Sequence, residues 1–389
     1  MGRSDADDKI CNPYVLKITS HHDKHSVYSI VKTLFELDSS QANNFDVIRF
    51  VAATLVIFSH AYAVSGYPNN EPLSGSTGFI GYGSLAVEIF FLVSGYLITR
   101  SLMHRDNLID FAEARVLRIF PALIVCCAIS ALVLGPLITT LPLDEYLGSR
   151  QTWDYLLKGS SLISMQWFLP GVFESNILKG VVNGSLWTLP VEFKMYVVML
   201  GLGTLAYAIK RYRVVLLTML IGSYLIYLFA TQSAQLANHH SADPKPLIAF
   251  FLIGAIVYLN RQYVFISTTV ALAIWVALLL MRGTQTAVPL YYAAMAYSLL
   301  AIAFDTTFQL HRFAKYGDLS YGLYLYGFPV KQAIIFFAGA MTPSTLFMMA
   351  FPITFLLAYL SWRYVEAPSL NKKGMTSKFI RRRFSLSRK

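Results

Sequence analysis

Arg49 and His60 lie within one strongly apolar run, residues 47–64, that is long enough to cross a bilayer. An ionisable side chain at membrane depth costs about 2.5–3.5 kcal/mol on insertion scales, so it marks a functional site. The two residues are eleven positions apart. On a helix this places them on one face, roughly 16 Å apart along the axis. A cation near one mouth of a span and an imidazole deep within it read as two ends of a substrate path.

Carboxylates and further cations join them. Glu88 lies near the start of the second apolar run and Glu192 near the start of the fourth. Both are expected at a depth similar to that of His60, on different helices. A His–carboxylate pair suits general-base catalysis, because the carboxylate orients the ring and stabilises its protonated form. The other reading is packing: these groups pair with one another, or with Lys194 and tyrosines. Arg115 and Arg118 share a helix face at i, i+3. Two guanidinium forks suit phosphate, or they anchor a helix end on the cytoplasmic side. Asp46 precedes Arg49 by three residues and offers it a local ion pair. Ser94-Gly95 permits close helix approach. Ser94 as a nucleophile has no base nearby in the sequence.

The elements that position these residues follow from composition. The chain has 389 residues, 56% hydrophobic and 14% charged, with a net charge of +11. A soluble domain carries about 25% charged residues, so an all-α, polytopic membrane helical bundle is expected. The expected spans are about 47–66, 83–102, 119–141, 186–209, 214–230, 246–259, 264–281, 287–304, 321–340 and 345–363. Arg105, Arg115, Arg118, Lys210, Arg211, Arg213, Arg261, Arg312 and Lys315 fall on one side of these spans, with a cluster of cations after residue 371. Arg150, Lys158, Lys179, Lys245 and Arg282 fall on the other. That bias places both termini in the cytoplasm, with about ten transmembrane helices. It also accounts for the positive charge without nucleic acid, for which no basic-aromatic module is present.

Residues 1–44 read as a cytoplasmic tail with an interfacial amphipathic helix over 26–37, its apolar positions spaced for one face. No secretory signal is evident, so the first span is expected to double as an uncleaved insertion signal. His21, His22 and His25 permit a metal reading, but no cysteine or carboxylate group accompanies them, and no metal is expected. Cys11, Cys126 and Cys127 give no disulfide framework. The longest outside connection, about 142–185, holds the apolar stretch 160–170, too short to span and expected to be re-entrant or interfacial. Residues 367–389 form a basic tail that can touch anionic lipid.

These residues form a recognisable set. Phe45-Asp46-Val47-Ile48-Arg49 followed by Ser59-His60 looks like an Arg-x10-His motif. Glu88-Ile89-Phe90-Phe91 leading to Ser94-Gly95, Arg115 and Arg118 before Pro121, and Trp187-Thr188 leading to Glu192 come next. Gly317-Asp318-Leu319-Ser320-Tyr321 and Ser361-Trp362-Arg363 leading to Glu366 and Pro368 complete the order. Together they resemble the acyltransferase 3 family of integral membrane acyltransferases, which includes bacterial O-antigen and exopolysaccharide O-acetyltransferases. The resemblance covers about residues 44–370, so 45–366 reads as the membrane acyltransferase domain.

The resemblance implies transfer of an acyl group from a coenzyme A thioester, commonly acetyl-CoA, to a sugar hydroxyl. The acceptor would be a lipid-linked or surface glycan at the bacterial inner membrane, among membrane lipids. His60 would be the general base, with Glu192 and then Glu88 in support. Arg49, Arg115 and Arg118 would hold the donor, and Trp187 and Tyr321 would contact substrate. Succinyl or another short acyl donor is the enzymatic alternative, with Lys194 or Lys331 as the extra cation. A proton-coupled glycan transporter or flippase is the alternative of another class. Two departures stand out. Many members carry a second His where this chain has Gly327, and some carry a C-terminal hydrolase-like domain that is not seen here.

Overall fold

The computed structural model describes residues 32–39, 43–77, 80–105, 107–239, 242–305, 310 and 313–375. The histidines of the N-terminal tail, Cys11, Arg312, the first part of the expected amphipathic helix and the tail beyond residue 375 lie outside them. The described residues are helical, with no strands among them. Each apolar segment expected to span contains a helix: α1 Phe45–Val64, α2 Tyr82–His104, α3 Leu108–Ile129, α4 Thr188–Ala208, α5 Arg213–Thr231, α6 Lys245–Leu259, α7 Thr268–Leu280, α8 Ala287–Ala303, α9 Ser320–Ala338 and α10 Pro343–Ser361. Six of the helices, α1 to α5 and α10, some extended by adjoining turns, are long and apolar enough to cross a membrane. Three others, α6, α7 and α8, are apolar but shorter. Outward-facing Ile226, Leu280 and Met348 are 71%, 78% and 73% exposed, an apolar exterior that suits lipid rather than water.

Local chemistry sets several helix ends. Asn107 caps α3 by accepting from Ile109 N. The helix therefore begins well before the span expected at 119, and Arg115 and Arg118 sit inside it rather than ahead of it. It continues through a π-turn at Ser130–Leu134 to Ile138. Thr342 caps α10 and Pro343 takes its first position, where a missing N–H costs nothing. The described part of the expected amphipathic helix, Leu34–Ser39, is docked rather than lying free. Leu34 is buried, its N–H bonds Val264 O, and Asp38 pairs with Arg100 at 3.2 Å.

The long connection is ordered. It carries helices Leu143–Gly148 and Arg150–Ser161, the second ending at Leu162 in left-handed backbone. The apolar stretch that follows is not a re-entrant helix. It runs irregularly to a bridge between Phe168 and Val181. Asn176 then donates to Gln332 of α9, which fixes the segment over the bundle.

The tightest helix pair is α2 with α6. A Cβ on Gly95 would overlap the Phe251 carbonyl, and one on Gly254 would overlap the Leu92 carbonyl. Backbone thus meets backbone at both points, the small-residue packing that membrane helices use. Neither contact can relax by a rotamer change, so Gly95→Val is expected to abolish monodisperse protein in detergent gel filtration. Gly201→Ala, where a Cβ meets nothing, should elute like the parent. A well-folded Gly95→Val protein would contradict this packing.

Candidate active site

Arg49 on α1, Arg115 and Arg118 on α3, Ser94 on α2, Thr188, Glu192 and Tyr196 on or at the start of α4, and Tyr321 and Tyr324 on α9 line one cavity. Lys373, beyond α10, completes it. Three of the expected donor-binding residues and one expected carboxylate are thus brought together. They come from helices far apart in sequence.

The cavity is organised by a residue that spacing alone did not single out. Asp318 Oδ2 accepts from Arg49 Nη1 and Arg118 Nη2, both at 2.5 Å. Its Oδ1 accepts from Ser320 N at 3.2 Å and Ser320 Oγ at 2.5 Å. Arg118 also pairs with Glu366 at 3.5 Å, and Ser361 Oγ donates to Glu366. Arg49 therefore pairs across the bundle with Asp318, not locally with Asp46. Three helical turns of apolar sequence isolate Arg49 less than expected, because α9 begins beside it. Burial pushes the Asp318 carboxyl up, but Arg118 and Arg49 outweigh burial and hold it below the usual carboxylate range. Gly317 makes the approach possible. Its φ is +108°, and a Cβ there would overlap the Trp362 indole.

Arg115 is held differently. It donates to Ser101 Oγ at 3.0 Å, and its guanidinium lies 5.4 Å from the Phe111 ring centroid and 5.9 Å from that of Tyr196. Glu192 accepts from Tyr196 OH in a short bond and from Ser94 Oγ at 3.2 Å. The serine that had no base nearby in sequence thus has a carboxylate in space.

His60 does not line this cavity. Its Nδ1 lies 3.3 Å from Ser185 Oγ, and its ring packs edge-on to Phe328 at 5.3 Å. Ser185 precedes α4 in the turn Gly184–Trp187. Its carbonyl accepts from Tyr324 OH in a short bond, and Tyr324 OH lies 2.5 Å from Thr188 Oγ1. Thr188 and Tyr324 line the cavity, so the Ser185 backbone carbonyl faces it while the Ser185 side chain meets His60. Lys331, fully buried, donates to Ile57 O at 2.9 Å, one turn before His60. At Gly327, where the resemblance leads to the expectation of a second His, a Cβ would lie 2.8 Å from Ile57 Cγ1. Here the helices have closed into the space a side chain would need.

Glu88 takes part in a separate cluster. Its oxygens engage His239 Nδ1 at 2.6 Å and Tyr291 OH at 2.7 Å, all three groups buried. Neither carboxylate makes the expected hydrogen bond with His60, because Glu88 faces α8 and Glu192 is turned to Tyr196. Trp187 packs against the apolar core and does not line the cavity, whereas Tyr321 does. Tyr321 donates to Ile119 O, with the Arg118 guanidinium 5.6 Å from its ring centroid.

Removing one partner of a buried ion pair leaves charge uncompensated, at about 3–5 kcal/mol, which is an upper bound for this part-buried cluster. Asp318→Ala strands two guanidiniums and is expected to lower the melting temperature of the detergent-solubilised protein steeply. Asp154→Ala removes an exposed helix-surface pair and should leave it nearly unchanged. Equal melting temperatures for the two variants would remove Asp318 from its central place.

Comparison with known proteins bears on the family. The acyltransferase domain family matches residues 43–363. An O-acetyl transferase of Shigella phage Sf6 is 31% identical over 346 residues, covering 86% of this chain and 98% of the relative. Nodulation protein 10 of Rhizobium leguminosarum bv. viciae is 28% identical over 389 residues, covering 90% of this chain and 99% of the relative. Acyltransferase MdmB of Streptomyces mycarofaciens is 28% identical over 149 residues, 38% of this chain and 36% of the relative. No solved structure matches. The family match spans α1 to α10 and contains every helix that lines the cavity, so the chain belongs to the acyltransferase 3 family and is a membrane acyltransferase.

Proposed function

We propose that this protein moves an acetyl group from cytoplasmic acetyl-CoA to a sugar hydroxyl of a cell-surface polysaccharide, or of its lipid-linked precursor. It would do so as a multi-pass protein of the bacterial inner membrane with both termini inside. The observation that carries this reading is the arginine-lined cavity set one residue from a half-buried histidine, since Ser185 takes Tyr324 OH on its carbonyl and meets His60 with its hydroxyl. The likeness to a phage O-acetyl transferase supports acetyl as the group transferred.

In this reading the phosphates of the donor stay at the cationic mouth. The pantetheine arm, neutral and slender, runs between Ser94, Leu97 and Tyr324. His60 acts as general base on the acceptor hydroxyl. With Nδ1–H donating to Ser185 Oγ, Nε2 is the unprotonated nitrogen that takes the proton. Deprotonation of the hydroxyl lets its oxygen attack the thioester carbonyl. The C–O bond forms, the C–S bond breaks, and the thiolate leaves with coenzyme A. Glu192, held by Tyr196 and Ser94, sits within the cavity rather than on the imidazole. Its contribution is to hold the Tyr196 and Ser94 hydroxyls in the lining of the donor path.

General-base catalysis is worth about 10²–10⁴-fold in rate. His60→Ala is therefore expected to lower acetyl transfer to a glycan acceptor by that factor. Coenzyme A should still stabilise the variant thermally in detergent. Mass spectrometry of surface glycans from cells with and without the protein identifies the modified sugar. Full acetylation by His60→Ala would sink the mechanism. Glycans unchanged by loss of the protein would sink the acceptor assignment.

A further inference from the structure

The cations of the cavity are not equivalent. Asp318 and Glu366 compensate Arg49 and Arg118 from behind the lining. Among the described residues, neither Arg115 nor Lys373 has a carboxylate at ion-pair distance. Arg115 Nε is buried without a hydrogen-bond partner among them. Burial, with Arg115, Arg118 and Arg105 nearby, pushes the Lys373 ammonium below the usual lysine range. Like charges gathered at one mouth, two of them uncompensated, call for an anion.

Lys373 is no loose tail residue. It follows the short helix Ala367–Leu370, in a turn beyond the end of the family match at residue 363. Gly374 N donates to Glu113 Oε2 at 2.7 Å, two positions before Arg115 on α3. That bond sets Lys373 at the edge of the cavity, which it lines, while its neighbour Lys372, exposed like it, takes no part in the lining.

We propose that Lys373 and Arg115 form the phosphate-binding pair of the donor site, with Lys373 supplied by the C-terminal segment, and that Arg49 and Arg118 serve to build the cavity rather than to hold the donor. This rests on the reading that the cavity takes a coenzyme A thioester. Two uncompensated cations on separate segments match a ligand carrying several phosphates. The two compensated ones already have their charge met by Asp318 and Glu366.

The test uses the full-length protein in detergent, with affinity read from thermal stabilisation by coenzyme A and by pantetheine, which lacks the nucleotide phosphates. Lys373→Glu is expected to raise the coenzyme A dissociation constant more than tenfold, with pantetheine affinity within twofold of the parent. Lys373→Arg should restore coenzyme A binding, and Lys372→Glu should leave it within twofold. Equal weakening by Lys372→Glu and Lys373→Glu would mean general attraction and would overturn the assignment. So would Lys373→Glu protein that binds coenzyme A normally. Absence of coenzyme A binding by the unmodified protein would instead bring down the donor reading on which the assignment rests.

Discussion

One carboxylate ties the structure together. Asp318 lies between guanidiniums from α1 and α3, and its second oxygen is filled by Ser320. Charges taken out of water hold only when geometry is good and the remaining lone pairs are used. Here they are. Glu366 joins through Arg118, so α1, α3, the start of α9 and the end of the α10 segment are fixed at one level. Gly317 is needed because its backbone passes the Trp362 ring where no Cβ fits. Four of the six short motifs spread along the chain are thus parts of a single ionic knot.

The close pairing of α2 and α6 shapes the other wall. Gly95 presses on α6, while its neighbour Ser94 lines the cavity and meets Glu192. Adjacent helical residues point about 100° apart, so a two-residue motif serves both packing and cavity. Moving α2 outward to admit a larger residue at 95 would also withdraw Ser94, Leu97 and Ile98 from the lining. Packing and site geometry are therefore coupled through one helix.

Much of this was legible in the sequence. Apolar runs located the helices, since a chain in lipid must satisfy its backbone within helices. Ionisable residues in those runs marked Arg49, Arg115, Arg118 and Glu192, which the fold gathers. Partners were less legible. Asp46 was the near carboxylate to Arg49, yet Asp318 takes the bond, because helix neighbours in space come from distant sequence. Glu88 was expected beside His60, but a helix carries its side chains round the full circle, and Glu88 faces His239 and Tyr291. Ser185 and Lys373 gave no signal at all. One sits in a short turn and the other in a basic tail, where a serine or a lysine is ordinary.

The distance between His60 and the arginine cavity now has a physical reading under the proposed function. Burying a phosphate in an apolar channel costs several kcal/mol per charge unless cations follow it inward. Past the mouth the lining offers Val87, Phe90 and Leu97 with hydroxyls of Thr188 and Tyr324, and no further cation. Such a channel rejects the nucleotide end of a donor and admits a neutral thioester arm. The separation of Arg49 from His60 along α1 is then what lets one helix serve both a charged mouth and a reaction centre set apart from the phosphates.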